Sequence, residues 1–297
     1  MEFMKKVILG LSLSIIAISA SAYDARSYML LPIDYSLADM QVSNIETTKK
    51  INASVTAKSE LNMVYARYVD YFDVAGNLGA AYILLPYANN NGDIRMGGNV
   101  LKYEKMDGLG DVKLFLGLGV YNMPALSKEQ FKSYNKDGLK AACSVMLTLP
   151  TGTYDKSNLF NIGSNQTSVK PECNINYTQD KFVIEFSTGL TAYSDNKEYT
   201  STSKLSKDNL YHSEIHVSYN LTPKIWTGVD LFYAHGGKTY VNNIPGKDKQ
   251  ENLSAGLIMS YNISPGGYIK VNYQKTIDSP EYAPKQSYFG LAFQQLF

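Results

Sequence analysis

The stretch QSYFGLAFQQLF, residues 286–297, decides how this chain is read. Successive side chains of a strand point to opposite faces. Phe289, Leu291, Phe293 and Phe297 therefore share one face, broken only by Gln295, and Tyr288, Gly290, Ala292 and Gln294 share the other. Such a band suits a strand with hydrocarbon on one side and water on the other. A soluble domain that ended on a bare apolar strand would expose an edge prone to aggregation, whereas a closed barrel in a bilayer has no edge. A core-facing last strand also fits this stretch taken alone. The other end of the chain separates the two readings.

Lys5 and Lys6 precede an apolar run at 7–18, which leads into Ser19, Ala20, Ser21 and Ala22. A charged start, a short apolar run and a small-residue ending predict a secretory signal peptide, cleaved after Ala22. The run is too short for a spanning helix, which needs about 20 residues. No later stretch has the length and apolarity of one, so residues 23–297 read as a single exported domain without a membrane helix. With 28 Lys plus Arg against 27 Asp plus Glu, nothing in the charge argues for a nucleic-acid partner. Tyr is the unusual residue, with 24 copies against 11 Phe and one Trp. Its ring suits half-buried strands and the membrane interface, where the hydroxyl stays wet.

Working back from the last strand, alternation recurs. Phe182, Ile184 and Phe186 alternate with Val183, Glu185 and Ser187. Tyr211, Ile215 and Val217 alternate with His212, Glu214 and His216. Val229 and Leu231 flank Asp230, and Leu257 and Met259 alternate with Gly256 and Ser260. Short connections at 177–181, 220–224 and 262–267 alternate with long ones at 151–167, 194–209, 235–250 and 276–285. Transmembrane barrels have short periplasmic turns and long outer loops. The expected fold is thus all-β: an antiparallel transmembrane β-barrel of about 12 strands in the bacterial outer membrane. Earlier strands are expected at 33–45, 57–70, 78–88, 109–121, 138–149 and 169–178. Residues 89–108 read as a loop able to fold into the lumen, because a thirteenth strand at 95–105 would break the even count. Ser127 and Gln130 form a capping-box pattern that starts a short helix in the connection 123–137.

Parity selects the lumen candidates. Phe115, Tyr121, Tyr193, Trp226 and Phe232 are the inward aromatic residues available to a ligand. Glu185, His212, Glu214, His216 and Asp230, with Lys113, Lys140, Lys170, Glu172 and Lys270, put both charge signs inside. Imidazole and carboxylate together could bind a divalent ion, but residues at i, i+2 and i+4 of one strand diverge, so a polar lining is preferred and no metal or cofactor is expected. Parity places Arg67 with Met63, Tyr65 and Val69 on the lipid side, where it would have to snorkel or be turned by a bulge. Cys143 and Cys173 share outward parity and would face each other across a hairpin, either bridged or as free lipid-facing thiols. Gly236-Gly-Lys-Thr ends like a phosphate loop, but Phe232 stands where the first Gly belongs, and His235 has no recognisable catalytic partners; an enzyme is not expected.

The middle of the chain resembles the meta-pathway phenol-degradation family of outer-membrane transporters. The resemblance rests on Leu85-Pro-Tyr-Ala88, Gly108-Leu-Gly-Asp111, Pro124-Ala-Leu-Ser127 and Pro150-Thr-Gly-Thr-Tyr-Asp155. It continues with Leu159, Asn161, Ile162-Gly163, Asn165, Lys170-Pro-Glu172, His216-Val-Ser-Tyr219 and Gly236-Gly-Lys-Thr239. The chain departs from the family in Lys238, where Arg is usual, in its two cysteines, and in ending on Phe297 rather than Trp. The resemblance implies a twelve-stranded transporter barrel; with so few strands the bore is narrow and residues 89–108 could occlude it, so the expected function is passive diffusion of small, hydrophobic or aromatic molecules through a constricted lumen. The expected partners are the lipid bilayer and lipopolysaccharide, the barrel-assembly machinery and a small-molecule substrate. The alternative is a structural or surface-interaction barrel that binds a partner through its outer loops.

Overall fold

The computed structural model describes residues 25–297, so the expected signal peptide lies outside the described residues. In chain order the elements are β1 (Ser36–Lys50), β2 (Val55–Val74), β3 (Asn77–Met96), β4 (Asn99–Leu109), β5 (Lys113–Tyr121), α1 (Lys128–Ser133), β6 (Gly138–Thr148), β7 (Ser168–Gln179) and β8 (Phe182–Tyr193). There follow β9 (Asn196–Thr200), β10 (Ser203–Lys207), β11 (Leu210–Asn220), β12 (Ile225–Gly236), β13 (Thr239–Val241), β14 (Ile244–Pro245), β15 (Gln250–Ser264), β16 (Gly267–Asp278) and β17 (Lys285–Leu296).

Twelve of these strands close into one antiparallel barrel in the order β1, β2, β3, β5, β6, β7, β8, β11, β12, β15, β16, β17. The last strand returns to the first, with Leu37 opposite Leu296, and Ser36 and Phe297 exchange both backbone hydrogen bonds at 3.1 Å. Closure pairs the edge that the terminal apolar strand would otherwise expose. Phe289, Leu291, Phe293 and Phe297 point outward, continuous with Val42, Leu116 and Leu257 on other strands. Among the described residues no helix is long and apolar enough to cross a membrane; the strands form the wall.

Residues 89–108 are a strand extension, and the loop expected there does not form. β3 runs 20 residues, roughly twice the 9–11 a transmembrane strand needs. It turns at Gly97 and Gly98, whose φ values of 56° and 90° suit a tight hairpin, and returns as β4. The upper half of β3 pairs with β4 and its lower half with β5, so β4 and β5 act as one strand broken at 110–112. The ring therefore keeps an even count. Asn89, Asn90, Asn91 and Gly92 are poor strand formers, but pairing with β2 from Asn62 to Ser59 holds them extended. Gly92 makes room for Phe160: a Cβ there would lie 2.1 Å from the Phe160 ring.

Arg67 is a second correction. Asp39, Gln41 and Ser43 on the inner face of β1 are buried, and the register places Arg67 opposite Asp39, so Arg67, Tyr65, Met63 and Val69 all face the lumen. No bulge is needed; this part of the lumen is itself partly apolar. Cys143 and Cys173 sit directly opposite each other on the outer face of β6 and β7 and are bonded, with Cα atoms 4.0 Å apart. The helix α1 begins as its capping box dictates: the Gln130 amide donates to Ser127 Oγ at 3.3 Å, and the Ser127 amide to Gln130 Oε1 at 2.9 Å.

At the end bearing the long connections, β9, β10, β13 and β14 from two separate loops form a four-stranded sheet with its own small core of Tyr199, Leu205 and Val241. Lys49 at the top of β1 is tied to Asp248 in the second of these loops at 2.7 Å, both side chains buried.

Candidate functional site

The lumen has two unlike halves. On β7, β8, β11 and β12 it is polar and tightly filled. The side chains of Glu172, Glu185, His212, Glu214, His216 and Asp230 are all buried. Glu172 is fully occupied: it accepts from Lys170 Nζ at 2.7 Å and Tyr28 Oη at 2.8 Å, and lies 2.7 Å from His212 Nε2. His216 Nδ1 lies 2.7 Å from Asp230, and its Nε2 is 3.5 Å from Glu214. The histidines thus join carboxylates on neighbouring strands. Glu172, His212 and Glu214 do bring one ligand-type atom each within 4.8 Å of one another, a convergence that spacing along β11 alone does not provide. The Lys170 ammonium supplies a positive charge at Glu172, so the cluster is held as an ion-pair network, with His212 Nδ1 left as a buried nitrogen without a hydrogen-bond partner.

The segment before β1 fills much of this half. Ala25, Tyr28 and Leu30 are buried inside the barrel. The Arg26 amide donates to Glu185 at 2.6 Å, and its guanidinium donates to Ser218 at 2.9 Å and to Asn220 at 2.7 Å while lying 4.5 Å from the Trp226 ring centre. Tyr28 Oη also lies 2.7 Å from Ser144 Oγ. Sequence reasoning missed this strap because its short run of residues has no periodicity and its partners lie more than 100 positions away.

On β2, β3, β5 and β6 the lumen is richer in apolar and aromatic side chains, beside a β1 whose inner face is mostly polar, with Asp39, Gln41, Ser43, Thr47 and Lys49. Phe115 stacks on Tyr82 with ring centres 4.5 Å apart, in a cluster with Leu30, Leu78, Met123, Ala142 and Met146. Nearer the outer end Ile45, Leu61, Ala88 and Ile162 form another. Between them Arg67 is paired to Asp39 and lies over the Tyr82 ring, and Tyr65 donates to Gln41 at 2.7 Å. Tyr65, Arg67, Tyr71, Tyr82, Lys113 and Lys270 keep accessible surface, whereas nearly every inward side chain of β7 and β11 is buried. The open part of the lumen is therefore off-centre and lined by tyrosine.

Of the residues expected from parity, Phe115, Glu185, Tyr193, His212, Glu214, His216, Trp226, Asp230 and Phe232 do face inward, but they divide between the halves. Phe232 packs edge-on against His216, Tyr193 lies beneath Lys207, and Trp226 is covered by Arg26. Only Phe115 belongs to the apolar half. Tyr121 faces outward and is 59% exposed, because the register shifts between Gly119 and Tyr121 and reverses the faces beyond it. The aromatic residues that line the opening are Tyr65 and Tyr71 of β2, whose apolar inner face looks lipid-facing in sequence, and Tyr82 of β3.

The motif blocks also meet in space. Asp111 accepts from the Gly152 amide at 2.9 Å and the Ser164 amide at 2.8 Å, and the Thr153 amide donates to Leu109 O at 2.7 Å. Gly152 and Gly163 approach so closely that a Cβ on Gly163 would lie 2.7 Å from the Gly152 backbone. This pins the first long loop onto the break between β4 and β5.

Residues 42–293 match the family described as "Putative MetA-pathway of phenol degradation". The chain belongs to this family. No curated protein sequence matches it. Among solved structures, the COG4313 outer membrane channel from Pseudomonas putida F1 superposes with a TM-score of 0.76 at 17% identity, covering 93% of this chain and 100% of that one. The beta domain of the Bordetella autotransporter BrkA gives a TM-score of 0.56 at 9% identity over 89% of this chain and 100% of that one. The transport unit of the autotransporter AIDA-I from Escherichia coli gives 0.56 at 11% identity over 99% and 97%. At these identities the likeness is one of fold, and with the family it places this phenol-degradation family member in the bacterial outer membrane.

Proposed function

We propose that this protein is an outer-membrane channel that lets small hydrophobic or aromatic molecules diffuse through the tyrosine-lined half of its lumen. The observation that carries the reading is the division of the lumen: the polar half is closed by the strap and ion pairs, while the surface left open is that of Tyr65, Tyr71 and Tyr82. Tyrosine offers a flat apolar face with a polar tip, which suits small aromatic solutes better than ions or sugars. The solved P. putida relative is itself called a channel, which supports the same reading. The strap narrows the bore, so passage is constricted and passive. The outward apolar belt meets the bilayer, and lipopolysaccharide and the barrel-assembly machinery are the partners of a barrel in this membrane.

The test is uptake of phenolics, alkanes and fatty acids by a deletion strain with and without the restored gene. Slower uptake of at least one class, restored by the gene, is expected; no change in any would reject transport. The folded outer sheet of β9, β10, β13 and β14 favours a second reading, a barrel that binds a partner through its loops. Removing 196–207 while uptake stays normal would assign that sheet to a role other than transport.

A further inference from the structure

Charges inside this barrel are almost always answered. Lys49 pairs with Asp248, Arg67 with Asp39, and Lys170 with Glu172, while Lys140 donates to backbone carbonyls of Lys136 and Gly138. Lys113 differs. It faces the lumen from β5, keeps accessible surface, and makes no hydrogen bond or ion pair among the described residues. The carboxylate two positions before it, Asp111, is turned to the Gly152 and Ser164 amides and makes no ion pair with it, and the charges that act on Lys113 from a distance are the like charge of Lys170 and the opposite charge of Asp111.

The register shows what surrounds this ammonium. Lys113 lies between Leu84 of β3 and Thr148 of β6, and Leu84 is opposite Arg67. The next inward row holds Tyr82, Phe115 and Met146. Of that row only Tyr82 keeps accessible surface, with Phe115 and Met146 buried behind it, so the cation stands beside a tyrosine on the open side of the lumen. A hydroxyl stands directly across from it. An unpaired charge within a protein wall is costly unless water or a counter-ion meets it. A ligand that matched this row would carry one anionic, hydrogen-bond-accepting group on a flat apolar body.

We propose that the ligand of this passage is a small aromatic carboxylate, its carboxylate on Lys113 beside Thr148 and its ring against Tyr82, which Phe115 and Met146 back from behind. The assignment rests on the tyrosine-lined half being the ligand path, and it narrows the substrate from hydrophobic molecules in general to hydrophobic anions. Lys113 sets the preference electrostatically, and the stacked rings supply an apolar surface that any flat molecule shares.

The experiment is ligand-observed NMR on the full-length protein in micelles with two probes of the same shape, benzoate and benzamide. Wild type is expected to bind benzoate at least about tenfold more tightly than benzamide. Lys113→Gln should remove that preference by weakening benzoate far more than benzamide, and Lys113→Arg should keep it. Heat-modifiable migration of each variant shows that the barrel is folded. Equal binding of the two probes by wild type, no binding of either, or an unchanged preference in folded Lys113→Gln would overturn the proposal. The channel reading fails separately: a protein that prefers benzoate through Lys113 but leaves uptake unchanged would keep this site and lose the transport function.

Discussion

Glu172 and His212 meet at 2.7 Å across a strand that lies between them. Glu172 of β7 is opposite Gly189 of β8, and Gly189 is opposite His212 of β11, so the three form one cross-strand row whose middle member has no side chain. The empty middle position lets the outer two touch. It also joins Lys170 and Tyr28 to the same carboxylate.

Gly189→Val should therefore disrupt the polar half. An added Cβ would lie 2.4 Å from the Pro171 carbonyl and 2.9 Å from His212 Nε2. Overpacking of this kind costs about 1–3 kcal/mol. The expected readout is a lower temperature for loss of the fast-migrating folded band. An unchanged midpoint would show that the wall yields there.

Asp39 and Arg67 form the ion pair at mid-lumen, with the Asp39 side chain fully buried. Removing one partner of a buried pair costs about 3–5 kcal/mol, because the other is left unanswered. The open lumen beside Arg67 lets water reach it, so Asp39→Ala should sit at the low end of that range. Asp39→Ala with Arg67→Met should recover part of the loss in urea unfolding from micelles; purely additive effects would argue against the pair.

The strap is held by Arg26 at Glu185, Ser218 and Asn220 and by Tyr28 at Glu172 and Ser144. Arg26→Ala with Tyr28→Phe removes four of these side-chain contacts and leaves backbone ones, the amide of residue 26 on Glu185 and the Asn176 side chain on the carbonyl of residue 28. Conductance of the purified protein in a planar bilayer should rise and become noisier. Equal conductance would place the constriction elsewhere.

Topology gives a fourth test. The turn near Thr222 lies at the end with short connections, and Gly97 at the tip of the β3–β4 hairpin lies at the other. The two native cysteines are bonded to each other, so an introduced thiol is the one available to a label. Whole cells should label a cysteine at Gly97 and leave one at Thr222 unlabelled. Labelling at Thr222 would invert the barrel.

Parity was a good guide wherever one face of a strand meets lipid and the other meets water. Alternation placed Glu185, His212, Glu214, His216 and Asp230 inside from single strands, because a charge facing lipid costs about 2–4 kcal/mol at mid-bilayer. It misled at β2, where Met63, Tyr65 and Val69 line an apolar stretch of lumen and resemble the lipid face. It misled again at 89–96, which rises beyond the belt. Polar residues there satisfy both faces, and only pairing with β2 keeps them in a strand. At Tyr121 a single register shift undid the count.

By itself the sequence determined the barrel, its even strand number, the alternation of short and long connections, and which strands carry their charges inward. Those are consequences of a period of two and of a solvent that cannot hydrogen-bond, and each can be judged one strand at a time. Only the tertiary structure decided that Ala25 to Leu30 run inside the barrel, that His212 reaches Glu172 past Gly189, and that Lys113 stands beside Tyr82 with no ion-pair partner among the described residues. These depend on the register around a closed ring, where residues far apart in the chain become neighbours once the last strand has paired with the first.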